Sequence, residues 1–237
     1  TAEAAWRRVS PWVVDSPGGR AAGGLIVEVA PDNRRLTQAL AGADGEFSGV
    51  AAVTSTTDGS LALDVPVHVF LDASVADPGQ VTTGVLLAHE LVHAVTRSPL
   101  HPGVPSWWRE GYADYVAFAD GGVSRTARDA GLASIAPGRA VRLRRSAAAV
   151  GAWLLPSDRD FRRSSAWAYP ASRWVVATVV DRLPERPTPA AVAGVLWRID
   201  QRLAAGESAA AVLGSEAGIS LDAVTRTWWS RLQHWQA

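Results

Sequence analysis

The chain has 237 residues, 48% of them hydrophobic, which is enough for one large domain or two small lobes with a proper core. Its 23 basic residues, all arginine, balance 23 acidic ones, so a formal net charge of zero offers no electrostatic case for binding nucleic acid or anionic lipid. The absence of cysteine excludes a disulfide framework, a thiolate metal ligand and a thiol nucleophile.

Residues 1–24 carry Trp6 and Trp12 and end in Pro17-Gly18-Gly19 and Gly23-Gly24, the pattern of a short helix or arm followed by a loop. The chain opens at Thr1 and contains no methionine, and the expectation is a preceding segment, a signal peptide or membrane anchor, removed from a secreted or envelope-anchored protein. No apolar run reaches the roughly 18 to 20 residues that a spanning helix needs, so no transmembrane segment is expected.

From Leu25 the hydrophobic period shortens. Leu25 to Val29, Phe47 to Thr57 and Leu61 to Leu71 are β-branched runs separated by turn residues, and they predict three or more strands. Arg34 to Leu40 fits a short helix between the first two. His68 falls within the third strand, where it is either a half-buried structural histidine or a metal ligand.

Asp77-Pro78 fits the N-cap and first position of a helix whose stripe Val81, Val85, Ala88, Val92 and Val95 would face the core. That helix contains His89-Glu90-Leu91-Val92-His93. Residues four apart stack on one helical face, so His89 and His93 can converge on one ion at zinc-ligand spacing. Glu90, about 100° around the axis, can reach a water on that ion as general base without entering its coordination shell. The competing reading leaves both histidines with ordinary hydrogen bonds and Glu90 solvated, but the chain has only five histidines and a chance match at this spacing is rare.

A catalytic zinc keeps three protein ligands and an open position. After the turn-rich Ser98 to Pro105 connection, a second helix is predicted with Ser106 as N-cap, placing Glu110 just over one turn in as the third ligand. Asp114 stacks four residues on. From there it can accept a hydrogen bond from the far nitrogen of a ligating histidine, His89 being the expected one.

His89-Glu90-x-x-His93 followed by Glu110-Gly111-Tyr112-Ala113-Asp114-Tyr115 resembles the gluzincin metallopeptidases, the thermolysin-like group whose third ligand is a glutamate on the next helix. The resemblance covers Gly24 to Ala119. It implies a zincin-like fold, Zn2+ held by His89, His93 and Glu110, Glu90 as catalytic base and Asp114 behind the ligands. Tyr169 to Val176 is similar to a helix in small bacterial members, and by the family's pattern the Tyr169 hydroxyl would donate to the developing oxyanion; a core tyrosine is the alternative. An edge strand beside the cleft pairs with extended substrate in that family, and Gly49, Val50 and Ala51 in Gly49 to Val53 would be its counterpart here. The aminopeptidase branch carries a Gly-x-Met-Glu-Asn strand, and Ser48 to Ala52 has neither glutamate nor asparagine, which argues against amino-end trimming.

His101, in the connection between the two ligand helices, is a candidate substrate contact. After Ala119 the chain breaks at Asp120-Gly121-Gly122, and the Arg/Ala-rich stretch to about Arg163 fits a cleft floor or flap; Arg139, Arg142, Arg144 and Arg145 suit substrate contact or a solvated face equally. Helices are predicted at Ala166 to Leu183, Pro189 to Ala205 capped by Thr188, Ser208 to Glu216, and Leu221 to Trp235 capped by Ser220. Tyr112 and Tyr115 fit core packing, and His234 fits the surface. The 11 tryptophans suit helix-helix core filling better than sugar stacking or membrane insertion.

The expected architecture is α+β, with an N-terminal sheet and zinc-helix lobe over 1–119, an irregular segment over 120–165 and a C-terminal helical lobe over 166–237. The expected activity is zinc-dependent peptide-bond hydrolysis, endopeptidic, on a peptide or protein substrate. A zinc-containing binding or scaffolding module of the cell envelope, slow or inactive in hydrolysis, is the alternative, and a metal-free helical domain with a chance motif is a third.

Overall fold

Ala5, Val9 and Val13, four residues apart, form the single buried stripe of helix α1, Ala2–Val13. They belong to a computed structural model that describes residues 2–13, 24–40, 50–56, 64–73, 81–119, 155–183 and 188–234. Two compact units divide the chain, Thr1–Pro102 and Gly103–Ala237. The division comes before the expected boundary at Ala119, and residues 120–154 of the expected irregular segment lie outside the described residues. The class is mixed α+β, with a small sheet in the first unit and, among the described residues, helices in the second.

Among the described residues the sheet has three strands, β1 (Leu25–Ala30), β2 (Ala52–Thr56) and β3 (Val67–Asp72), in the order β1-β3-β2. β1 runs parallel to β3 and β2 antiparallel to it. Alternation along β3 sends Phe70 to one face, where it meets Ala30 and Leu36, with Leu40 packed against them. Leu36 belongs to helix α2, Asn33–Ala39, whose cap Asp32 accepts the Arg35 N–H at 2.8 Å. Val67, Val69 and Leu71 point to the other face, together with their opposite partners Thr56, Thr54 and Ala52. Helix α3, Val81–Thr96, packs against β2, β3 and α1.

Two strands begin later than the sequence predicts. Pro66 has no N–H for a ladder, so β3 starts at Val67; 61–63 lie outside the described residues. Likewise β2 is regular only from Ala52, and 47–49 are not described. In α3 the expectation of one buried stripe also changes, because every residue from Leu87 to Thr96 is buried. A helix covered by a sheet and by another helix has little surface left to be polar. The expected cap Asp77-Pro78 falls outside the described residues. Arg97 ends α3 in the left-handed region, φ 54°, and is held there because its guanidinium donates to the Val65 carbonyl at 2.7 Å.

The second unit opens with α4, Ser106–Ala117, which packs along α5, Asp158–Val180. Gly111 makes that approach possible: a Cβ there would sit 2.4 Å from the Ser172 carbonyl oxygen. Helix α5 starts well before the predicted Ala166, because Ser157 and Asp160 form a capping box, the Ser157 N–H donating to the Asp160 carboxylate at 2.9 Å. Pro170 lies inside the helix, as it does in the expected span. Helices α6 (Pro189–Ala204), α7 (Ala209–Ala217) and α8 (Leu221–His234) follow the predicted spans closely. Thr188, Ser208 and Ser220 cap them through bonds from Ala191, Ala211 and Ala223. Trp107, Trp108, Trp197, Trp228 and Trp229 are buried, in line with core filling. Among the described residues no helix is long and apolar enough to cross a membrane.

Candidate metal centre

Helical periodicity in α3 brings the His89 and His93 rings to a centroid separation of 4.5 Å, nearly perpendicular. His89 is 7% exposed, His93 5%, and Glu110 on α4 8%. Ligand atoms of these three residues all lie within 4.8 Å of one another, and among the described residues this is the one group of three or more histidines and carboxylates so placed. Two imidazoles and a carboxylate are a donor set suited to a divalent ion of the zinc type, whose bonds of about 2.0 to 2.2 Å would draw them in by roughly an ångström. The residues therefore fit a metal.

Two side chains the sequence reading passed over hold the carboxylates here. Thr54 on β2 places its hydroxyl 2.6 Å from Glu90 Oε2 and 3.1 Å from the Glu90 carbonyl oxygen. Arg109 Nε donates to Glu110 Oε1 at 2.8 Å. The same guanidinium reaches Ser106 Oγ at 3.2 Å through Nη2, and Ser106 in turn donates to the Asp158 carboxylate at the start of α5. Ser106 is thus not the N-cap expected of it. Pro105 takes the extended cap conformation, φ −61° and ψ 137°, and its carbonyl accepts the Trp108 and Arg109 N–H groups at 2.9 and 3.0 Å. Arg109 carried a sequence signal, since it adjoins Glu110. Nothing local marks Thr54, which lies 36 residues from its partner.

The other expected site residues have distinct settings. Asp114 lies one turn beyond Glu110 on α4 and is half-buried. Tyr169 sits near the middle of α5, half-buried, with its ring edge-on to Phe161 at 5.0 Å. His101 follows the 3-10 turn Ser98–Leu100; burial, and then the positive charge of Arg97, push its pKa below 6.5, which favours the neutral imidazole near pH 7. Val50 and Ala51 lead into β2, and the Ala51 carbonyl accepts the Asp72 N–H at 3.0 Å; Gly49 lies outside the described residues. His68 stacks on Phe70 and places Nδ1 2.5 Å from Glu28 Oε1, on the sheet face opposite to Thr54. This is the structural role.

Comparison of the chain with protein-family models, with curated proteins and with solved structures finds no match.

Proposed function

We propose that the chain is a zinc-dependent peptidase of the gluzincin type with a zincin-like fold, acting on peptide or protein substrates as an endopeptidase. The reading is supported above all by the buried group His89, His93 and Glu110 with Glu90 next to one of its imidazoles. A divalent ion held there supplies Lewis acidity: it polarises the scissile carbonyl and makes water acidic enough to lose a proton near neutrality.

The chain's own residues do the rest. His89, His93 and Glu110 hold the ion. Glu90 takes a proton from the attacking water and returns it to the leaving nitrogen, the general acid-base role of a positioned carboxylate. Asp114, one turn past Glu110, accepts from the outward N–H of His89 and fixes its tautomer. The outer edge of β2 offers backbone groups for an extended substrate, because among the described residues β2 is a terminal strand of the sheet. Neutral His101 contacts the substrate, and the Tyr169 hydroxyl donates to the oxyanion.

The test joins metal analysis with turnover of a broad peptide library. The wild-type chain should bind one zinc and cleave peptides, and a chelator should abolish cleavage. Glu90→Gln should keep the zinc and lose turnover by about 10²- to 10⁴-fold. An unchanged rate in that variant refutes the assignment. Stoichiometric zinc with no cleavage would favour the non-catalytic envelope module instead.

A further inference from the structure

The clearest unassigned contact is the one between Thr54 and Glu90. Antiparallel pairing sets Thr54 opposite Val69, so both point to the sheet face against which α3 packs. The Thr54 hydroxyl then lies 2.6 Å from Glu90 Oε2, the length of a hydroxyl donating to a charged carboxylate. It also lies 3.1 Å from the main-chain oxygen of the same residue. A hydroxyl has one proton and two acceptor lone pairs, so it can serve only one of these oxygens as donor at a time. Glu90 itself is buried, and a flexible glutamate side chain held at one oxygen loses most of its rotamer freedom.

From this geometry we infer that Thr54 is a positioning residue for Glu90: it holds Oε2 and so leaves Oε1 as the oxygen that takes the proton from water. The inference rests on the peptidase reading above. The Glu90 carbonyl oxygen, 3.1 Å from the same hydroxyl, gives Thr54 a second anchor on the residue it orients. A second consequence follows from where Thr54 sits. The strand whose outer edge is proposed to receive substrate is the strand that orients the base, so peptide placement and proton abstraction share one rigid element.

Thr54→Val keeps the shape and strand preference of the side chain and removes the hydroxyl; Thr54→Ser restores a hydroxyl. With a fluorogenic peptide, Thr54→Val should lower kcat by about 10- to 100-fold, the range for losing a hydrogen bond to a charged group, with KM within about twofold. Zinc affinity, read by chelator competition, should stay within about threefold. Thr54→Ser should recover most of the lost kcat. Crystal structures of the metal-free wild type and Thr54→Val should show the Glu90 carboxylate displaced in the variant. A kcat in Thr54→Val within about twofold of wild type, a Thr54→Ser variant as slow as Thr54→Val, or an unmoved Glu90 carboxylate overturns the inference. If wild type itself cleaves nothing, the peptidase reading fails, and the Glu90 position in the two crystals still decides whether Thr54 orients it.

Discussion

Replacing Asp200 by asparagine should remove a stability penalty that grows as pH rises. Asp200 lies on α6 with no solvent exposure. Its Oδ1 accepts the Trp108 indole N–H at 3.2 Å, and no described residue hydrogen-bonds Oδ2. Burial outweighs the hydrogen bonds from Trp108 and Gln201 and lifts its pKa from 3.8 to about 7. The unfolded chain therefore releases this proton first. Between about pH 4 and pH 7 the native state binds more protons than the unfolded one, so stability falls as pH rises through that window. The full penalty, reached above about pH 7, has a ceiling of about 4 kcal/mol. Asparagine keeps the shape and the acceptor for Trp108 and never ionises. Urea unfolding of both proteins, with a chelator present so that metal linkage drops out, should show the stability of Asp200→Asn relative to wild type increasing by about 2 to 3 kcal/mol between about pH 5 and about pH 8.5. Taking the difference cancels the groups common to both proteins. A gap that is the same at the two pH values, or that closes as pH rises, would refute the reasoning.

Gly111→Ala should be costly for a purely steric reason. Its new Cβ would lie 2.4 Å from the Ser172 oxygen and 2.7 Å from the Ser172 carbonyl carbon, so α4 and α5 would have to part by about 1 Å, at about 1 to 3 kcal/mol. A urea midpoint indistinguishable from wild type would show that the contact is looser than described. Glu110→Ala should weaken zinc binding at least about 100-fold, since loss of even an outer partner of a metal ligand costs 10- to 100-fold. Isothermal titration that finds wild-type affinity would remove Glu110 from the ligand set.

What the sequence disclosed was what depends on neighbours along the chain. A helical face is fixed by spacing, so His89 and His93 could be paired on sight, and the expected caps Thr188 and Ser220 bond the N–H three residues on. The start of α5 was equally local, in the capping box of Ser157 and Asp160, although the expected helix began only at Ala166. Long-range polar contacts left no such trace. Ser106 has the composition of a cap, and its hydroxyl is taken up instead by Asp158, 52 residues away. Thr54 became visible only when strand register aimed it at Glu90. Burial of α3 on all sides was likewise a product of its neighbours, since its sequence shows a stripe wherever one is sought.

Helix α4 explains why a short stretch of sequence was so informative about the site. At about 100° per residue, Trp108 and Tyr112 share a side roughly opposite to Glu110 and Asp114. The first pair is buried toward Asp200: Trp108 donates to it, and burial followed by the Asp200 charge raises the pKa of Tyr112. Between these two sides Gly111 meets the backbone of α5, and Ser106 and Arg109 join the Glu110 carboxylate to Asp158. Each flank of the helix is thus occupied by a contact with little slack, which fixes both the axis and the rotation of the helix. Rotation is what aims Glu110. A turn of about 20° at the helix surface, some 5 Å from the axis, would move a side-chain atom by nearly 2 Å, more than a metal bond of about 2.0 to 2.2 Å tolerates. The composition of α4 is therefore as much a requirement of the donor geometry as Glu110 itself.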